Sequence, residues 1–169
     1  MSFEADCLPL FVYGTLRPGQ VQYQYLRGKT RAEYPAFMEG VCLFSLTSFP
    51  MLVSLDRLPP HLNRDDIIHT RVYGNLVVPH ERHYERLLTQ LDRYEDYNPC
   101  ETQESMYWRE LREVTVLFPE PQAVQAWVYM GNPQFLTPEH SVIQSGDWVQ
   151  HCEHRLQRRR RFRLLNYCE

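Results

Sequence analysis

Residues 11–19 read Phe-Val-Tyr-Gly-Thr-Leu-Arg-Pro-Gly, a strand that runs directly into a turn. β-Branched and aromatic residues fill the strand from Pro9 to Leu16, and Gly14-Thr15 marks its end. A glycine at such a turn lets a ligand approach the backbone closely. Successive backbone N–H groups of the turn can then point at one spot and bind an anion such as a carboxylate. The segment therefore predicts a buried strand that presents an anion-binding turn.

The whole chain has the size and composition of one globular domain. Its 169 residues are 43% hydrophobic and 23% charged, which favours a folded protein over a disordered one. No stretch reaches the ~20 apolar residues of a transmembrane helix. The apolar run from Leu8 to Tyr13 is interrupted by Pro9 and lacks the basic leader of a signal peptide. These features predict a cytoplasmic protein without a transmembrane segment.

The charge is distributed unevenly along the chain. The net charge is −3, but residues 151–169 hold six arginines and two glutamates, so the tail carries +4 and residues 1–150 carry −7. An acidic body argues against a main surface that binds nucleic acid. We predict one domain over residues 1–150 and a basic, helical tail over residues 151–169. The Arg155–Arg163 segment is a candidate contact for an acidic partner, although such charge runs are more often a solvated helix face.

The spacing of cysteine and histidine does not favour a metal site. The five cysteines are scattered without a Cys-x-x-Cys pair, so neither a disulfide framework nor a structural zinc site is expected. The run His151-Cys152-Glu153-His154 lacks the spacing of a closed zinc ligand set and has no distant partner pair. We therefore predict that the protein holds no metal.

Strand patterns dominate the chain and one strong helix interrupts them. Besides the first strand, strands are predicted at residues 33–46, 51–55, 70–78, 107–118 and 123–130. A short helix is predicted at 21–27, a surface loop rich in Pro, Asn and Asp at 58–66, and a second loop at 131–146. Pro119–Gln122 is a tight turn that makes the last two strands a hairpin. The sequence predicts an α+β fold with a mostly antiparallel or mixed sheet that is closed or nearly closed.

The helix is predicted over Glu81–Tyr94, and two acids lie at its end. Its apolar residues recur at the spacing of one helix face: Tyr84, Leu87, Leu88, Leu91 and Tyr94. The segment 91–97 reads Leu-Asp-Arg-Tyr-Glu-Asp-Tyr. A carboxyl group beside leucine and tyrosine side chains is partly desolvated, which raises its pKa towards values that suit a general base. Taken alone, such an acid is usually a solvated helix end.

The order of these motifs resembles the γ-glutamyl cyclotransferase-like (AIG2-like) superfamily. The matching features are Tyr-Gly-Thr-Leu-Arg at residues 13–17, Leu-Asp-x-x-Glu at 91–95 and Tyr-x-Arg at 107–109. Ala-Trp-Val-Tyr at 126–129 and Ser-Gly-Asp-Trp at 145–148 are similar to its bacterial and plant branches. The resemblance covers about residues 9–148, and no single motif carries it.

The resemblance implies a fold, a reaction and a set of site residues. The fold would be a small β-barrel flanked by helices, with a pocket at one end. The activity would be release of 5-oxoproline from γ-glutamyl compounds, without a metal or organic cofactor. Backbone amides of Tyr13, Gly14, Thr15 and Leu16 would bind the α-carboxylate of the substrate, and Glu95 would be the catalytic acid and base. Tyr129 lies where a pocket tyrosine is often found in the family.

One departure from the family pattern lies next to the expected catalytic acid. Asp96-Tyr97 follows Glu95, where many members have glycine. The acidic neighbour is expected either to raise the pKa of Glu95 by repulsion or to alter the turn and misplace its carboxylate. Asp92, about one helical turn earlier, is a weaker candidate for the acid.

Two alternatives to the enzyme stay open from the sequence. A binding or scaffold protein on the same barrel would keep the pocket without the chemistry, and it could use the arginine-rich tail to contact a partner. An adaptor that associates with RNA or a membrane through residues 155–165 is a weaker hypothesis, because the run lacks the interleaved aromatic residues of a nucleic-acid platform.

Overall fold

The computed structural model describes residues 7–62, 67, 68 and 70–165, with the backbone alone for residues 159–165. The strands are, in chain order, Leu10–Val12 (β1), Thr30–Glu39 (β2), Val41–Ser45 (β3), Pro50–Ser54 (β4), Arg71–Pro79 (β5), Tyr107–Val116 (β6), Gln122–Gly131 (β7) and Ser141–Val142 (β8). The α-helices are Tyr84–Tyr94 (α1) and Trp148–Leu165 (α2). Short 3-10 turns occupy Tyr23–Tyr25, Leu55–Arg57, Glu81–His83 and Pro133–Phe135. The predicted α+β class is confirmed.

Within the described part of the chain, five strands close into a barrel in the order β1-β5-β2-β6-β7. Four of its pairings are antiparallel, and β1 closes the barrel by lying parallel to β7, with Leu10 opposite Trp127. The predicted mixed, mostly antiparallel barrel is therefore confirmed, and so is the β6–β7 hairpin. The closure places the end of β1 beside the middle of β7.

A smaller sheet beside the barrel corrects two sequence predictions. Its strands lie in the order β4-β3-β8. The single strand predicted at residues 33–46 is wrong, because Gly40 adopts a positive φ of 71° and divides it into β2 of the barrel and β3 of the small sheet. The loop predicted at residues 131–146 contains β8, which pairs antiparallel with β3. A two-residue strand has no period that a sequence pattern can reveal.

The short helix predicted at residues 21–27 is also wrong. Only Tyr23–Tyr25 forms a 3-10 turn, and the chain leaves it through Gly28 at a φ of 73°. A segment of seven residues is too short for stable helix nucleation without a buried face. The surface loop predicted at residues 58–66 is described up to residue 62.

Strand β1 is buried on both of its faces, which explains its uninterrupted apolar sequence. Leu10 and Val12 belong to a hydrophobic cluster shared with α1, whereas Phe11 belongs to a second cluster inside the barrel. All three side chains are at most 4% exposed. Because successive strand residues point to opposite faces, such a strand needs apolar residues at every position. The turn that follows β1 therefore starts from a fixed position.

Helix α1 packs one face against the barrel, as the sequence spacing predicts. Tyr84, Leu87, Leu88 and Leu91 are buried in the same cluster as Leu10 and Val12 of β1. Burying a leucine side chain contributes about 1.5–3 kcal/mol, so this face fixes the direction of the helix. The end of α1 is thereby held beside the end of β1.

The predicted C-terminal helix is confirmed by α2. The Asp147 carboxylate accepts hydrogen bonds from the backbone N–H groups of Val149 (2.8 Å) and Gln150 (3.3 Å), which caps the first turn. Trp148 is buried, whereas Glu153, His154 and Arg158 are exposed. No helix among the described residues is both long and apolar enough to span a membrane.

The division of the chain at residue 150 stays a prediction. Helix α2 runs continuously through that position. The acidic partner proposed for the Arg155–Arg163 segment also stays a prediction, and residues 166–169 lie outside the described chain.

Candidate active site

A cavity of about 360 Å³ opens at the end of β1 and is the candidate active site. Its lining comes from β1 and the turn after it, the start of β4 and the residue before it, the end of α1, the start of β6 and the end of β7. The lining residues are Phe11, Val12, Tyr13, Gly14, Thr15, Leu16, Phe49, Pro50, Tyr94, Glu95, Asp96, Met106, Tyr107 and Tyr129. All six residues that the sequence selected are in this set, although their roles stay predictions.

The turn after β1 carries backbone donors that have no acceptor among the described residues. The Gly14 carbonyl accepts from the Arg17 N–H at 3.1 Å, and the Thr15 carbonyl accepts from the Gln22 N–H at 3.0 Å. Among the described residues, no acceptor takes a hydrogen bond from the N–H groups of Gly14, Thr15 or Leu16. Unpaired N–H groups on consecutive residues suit an anion. The turn therefore has the donors that a carboxylate requires.

Close packing explains the glycine at position 14. A Cβ atom there would lie 2.6 Å from Cγ of Pro50, which is closer than van der Waals contact allows. Thr15 Oγ1 and the Tyr94 hydroxyl are 3.2 Å apart, so a hydrogen bond also joins the turn to the end of α1. The turn is thus fixed from two sides.

Changing Gly14 to alanine is expected to destabilise the protein by about 1–3 kcal/mol, because the new methyl group overlaps Pro50. Urea unfolding measures the change. In a Pro50→Ala background, which removes Cγ, the same change at position 14 is expected to be less destabilising. Equal losses in both backgrounds would show that contact with Pro50 is not the reason for the glycine.

Glu95 caps the C-terminus of α1 and presents its carboxyl group to the cavity. Its backbone N–H donates to the Leu91 carbonyl at 2.8 Å, which keeps it in the last turn of the helix. Some of its surface remains accessible through the cavity, but protein atoms surround the carboxyl group closely. Burial raises the pKa of this carboxyl to about 8. Repulsion by Asp96 is therefore not needed to explain a raised pKa.

Four tyrosines face the charge of Glu95. Burial is the largest cause that raises the pKa of each hydroxyl, and the negative charge of Glu95 adds to it for Tyr13, Tyr94, Tyr107 and Tyr129. All four hydroxyls therefore stay protonated near neutral pH. The carboxyl of Glu95 lies in a chamber of neutral phenols, without a described cation lining it.

Asp92 serves a different purpose from Glu95. One of its carboxylate oxygens accepts from the Tyr129 hydroxyl at 2.7 Å, and the other accepts from Nη1 of Arg109 at 2.9 Å. The Arg109 guanidinium in turn lies over the rings of Trp127 and Tyr97, at 5.2 and 5.8 Å from their centroids. Asp92 does not line the cavity. It positions Tyr129, so it is not the acid that faces a ligand.

The departure at Asp96 does not disturb the end of the helix. Asp96 has a φ of 51°, in the left-handed region that favours glycine. The Tyr97 N–H donates to the Asp92 carbonyl at 2.9 Å, which is the bond of a Schellman-type helix end. Aspartate tolerates this conformation better than most residues do. The altered turn that the sequence suggested is therefore not observed.

Changing Asp96 to glycine is expected to stabilise the protein by about 0.5–1 kcal/mol, because glycine adopts a positive φ without a Cβ penalty. Changing it to alanine is expected to destabilise the protein, since alanine retains the Cβ atom and has no polar side chain to offset it. Thermal or urea unfolding of both variants checks the order. If alanine were more stable than glycine, position 96 would not require a left-handed backbone.

Several residues of the cavity cannot be assigned to it from their sequence patterns. Tyr94 is recognisable only as part of a helix face, because aromatic side chains usually pack in cores, and Tyr107 belongs to the Tyr-x-Arg motif at 107–109 without a role of its own. Phe49 and Pro50 lie on a segment whose pattern does not indicate a site, whereas Met106 directly precedes that motif. What these residues share is their position in the folded protein. Each lies next to β1, α1 or β6 where these elements meet.

A metal site is not evident from the geometry of the described residues. Among them, no group of three or more His, Cys, Asp and Glu side chains is arranged to hold a metal ion. His151 instead stacks on Trp148, with ring centroids 5.6 Å apart. Cys152, on the same helix, is a free thiol.

Comparisons with known proteins bear on the family and the fold of the chain. The profile of the family described as gamma-glutamyl cyclotransferase, AIG2-like, matches residues 10–150. No protein with a curated description matches the chain significantly. An AIG2-like protein from Mus musculus is similar in structure, with 27% identity and a TM-score of 0.52 over 79% of this chain and 81% of that one.

Two further structures share the fold at lower identity. YkqA from Bacillus subtilis has 22% identity and a TM-score of 0.56 over 86% of this chain. The chain spans 40% of the length of YkqA. A γ-glutamyl cyclotransferase specific to glutathione from yeast has 14% identity and a TM-score of 0.51, over 78% of this chain and 73% of that one. Likeness at these identities shows the fold alone.

Proposed function

The chain belongs to the γ-glutamyl cyclotransferase, AIG2-like family, and on that premise we propose that it releases 5-oxoproline from a γ-glutamyl compound. The observation that carries the proposal is the shared cavity. Glu95, with its raised pKa, and the turn at residues 13–16, with its free N–H groups, line the same 360 Å³ space. An acid and an anion site at this proximity suit a substrate that carries both an ammonium and a carboxylate group.

The turn after β1 binds the α-carboxylate of the glutamyl group in this proposal. The N–H groups of Gly14, Thr15 and Leu16 donate to its oxygens. With that end fixed, the flexible glutamyl chain can curl so that its α-amine approaches its own γ-carbonyl. Holding the reacting ends together is the main contribution of the site, because orientation of this kind can supply several kcal/mol.

Glu95 moves the proton in the proposed reaction. The α-amine is mostly protonated near neutral pH and cannot attack until it loses a proton. A carboxylate with a pKa of about 8 matches the α-amine closely, so transfer between them is nearly isoenergetic. The amine then forms a bond to the γ-carbon, and the bond from that carbon to the leaving nitrogen breaks. The ring nitrogen gives up a second proton as it becomes the N–H of the lactam. The leaving nitrogen takes up both protons, the first of them through Glu95, and departs as an ammonium group, so the atoms balance without added water.

The hydrogen bonds of the tyrosines limit which groups can stabilise the oxyanion. Tyr13 donates to the Tyr129 carbonyl at 2.7 Å, Tyr107 donates to the Pro50 carbonyl at 3.0 Å, and Tyr129 donates to Asp92. Their protons are therefore committed to the fold. The Tyr94 hydroxyl shares its bond with Thr15 Oγ1, and either atom can donate. Because the N–H groups at residues 14–16 bind the α-carboxylate in this proposal, the hydroxyls of Tyr94 and Thr15 are the described donors that can serve the developing charge.

A panel of γ-glutamyl compounds tests the proposal. The folded protein is incubated with γ-glutamyl amines, amino acids and peptides, and 5-oxoproline is measured by mass spectrometry. We expect release from at least one class, with the leaving amine formed in equal amount. Binding of these compounds without release would support the alternative of a binding protein, and would overturn the proposed activity.

A further inference from the structure

The described residues that line the cavity include acidic side chains but no basic ones. The acids are Glu95 and Asp96. Two arginines in the neighbouring elements are already paired. Arg17 donates to Asp147 at 2.8 Å and to Asn75 at 3.0 Å, and Arg109 is paired with Asp92. A leaving group that carries a carboxylate would therefore find the negative charge of Asp96 and no described cation in the cavity.

Asp96 has a carboxylate that pairs with no described residue. The residue is exposed at the cavity, and among the described residues it has no hydrogen-bond or ion-pair partner. Its backbone conformation favours glycine, so the side chain is retained at a conformational cost. The Schellman-type bond fixes it one residue beyond Glu95. A free carboxylate beside the acid at the mouth of a cavity suits a positively charged part of a ligand.

The remaining walls suit an alkyl chain that ends in a cation. Phe49, Met106, Tyr94 and Tyr107 supply apolar and aromatic surface to the cavity. Methylene groups gain about 0.8 kcal/mol each when they are buried against such surface. Aromatic faces also attract an ammonium group, by about 0.5–2 kcal/mol. The cavity thus combines an apolar passage with an acidic end.

From these observations we propose that the leaving group is an amine that carries a second, protonated amino group and no carboxylate, such as an aliphatic diamine. Asp96 is then the residue that selects it. This inference rests on the proposed function, and the reaction is unchanged: the bond from the α-nitrogen to the γ-carbon forms, and the bond from that carbon to the diamine nitrogen breaks. The proton that Glu95 takes from the α-amine is returned to the departing diamine.

Three γ-glutamyl conjugates of matched length test the proposal. Their leaving groups are diaminobutane, pentylamine and aminopentanoate, which differ only in a terminal cation, methyl group or carboxylate. We expect kcat/KM to be about five- to tenfold higher for the diaminobutane conjugate than for the pentylamine conjugate, and lowest for the aminopentanoate conjugate. Added salt should reduce the ratio of kcat/KM between the diaminobutane and pentylamine conjugates, because the contact with Asp96 is exposed to solvent.

The variant Asp96→Asn assigns the preference to one residue. Asparagine also tolerates a left-handed backbone, so the helix end is kept while the charge is removed. The ratio of kcat/KM between the diaminobutane and pentylamine conjugates should fall to about one. In the control Glu85→Gln, which removes an exposed charge from the start of α1, the ratio should not change.

Two results would overturn this inference alone. One is faster release from the aminopentanoate conjugate than from the diaminobutane conjugate. The other is a ratio that Asp96→Asn does not change. If the folded protein releases 5-oxoproline from none of the conjugates and from none of the compounds in the broader panel, the proposed function fails as well.

Discussion

Replacing Glu95 with glutamine is expected to lower kcat for 5-oxoproline release by about 100- to 10,000-fold, the range that a positioned general acid–base usually contributes. Glutamine has the same shape as glutamate but can neither take the proton from the α-amine nor return it. The N–H groups at residues 14–16 are unchanged, so the substrate should still bind. The largest change is therefore expected in kcat, and KM should change much less.

A set of variants separates loss of chemistry from loss of structure. Glu95→Asp keeps the acid but shortens the side chain by one methylene, so it should also lose much of the rate. Glu85→Gln, on the exposed face of the same helix, should behave like the unmodified protein. Circular dichroism and the unfolding midpoint establish that each variant is folded. A Glu95→Gln variant with an undiminished kcat would remove this residue from the mechanism.

The buried carboxyl of Glu95 is also expected to make stability depend on pH. Its pKa is about 8 in the folded protein and near its ordinary value of 4.5 when the chain is unfolded. Between these values the folded state retains a proton that the unfolded state has released. The free energy of unfolding should therefore fall as pH rises from 4.5 to 8, by up to about 1.4 kcal/mol per pH unit, and this loss is complete above the folded pKa.

Urea unfolding of the original protein and of Glu95→Gln at a series of pH values measures this effect. The effect is the difference between their free energies of unfolding at each pH. Glu95→Gln has no proton to release, so its curve should lack the decline that Glu95 causes. The variant should be more stable than the original protein at pH 9, by an amount on the order of a few kcal/mol. The histidines contribute equally to the pH dependence of both proteins, so their contributions cancel in the difference. Parallel curves for the two proteins would mean that the Glu95 carboxyl is not buried in the folded state.

The parts of the fold that local patterns specify were predictable from the sequence. The sequence predicts β1 because its residues are apolar on both faces. It predicts α1 because apolar residues repeat at helical spacing: Tyr84, Leu87, Leu88 and Leu91. The β6–β7 hairpin has a short turn between two alternating strands. In each case the residues that define the element are neighbours along the chain.

Features that depend on distant contacts could not be read from the sequence. β8 has only two residues, and its pairing with Phe44 and Ser45 of β3 spans almost a hundred positions. The local sequence indicates the turn after β1 and the acids at the end of α1, and the family resemblance adds Tyr13 and Tyr129, but neither assigns Tyr94 to the site. Tyr94 and Tyr107 become neighbours of Glu95 only after α1 packs against the barrel. The left-handed backbone at Asp96 likewise follows from the helix end and not from the aspartate itself.

The closure of the barrel by β1 has a consequence for the protein during its synthesis. β1 pairs with β5 on one side and with β7 on the other, so Leu10 acquires its partner Trp127 only after that residue has left the ribosome. Until then the N-terminal strand lacks a neighbour on one edge, and the turn that follows it has no β7 beside it. A strand that is made before both of its partners is therefore among the last parts of the barrel to reach its final surroundings.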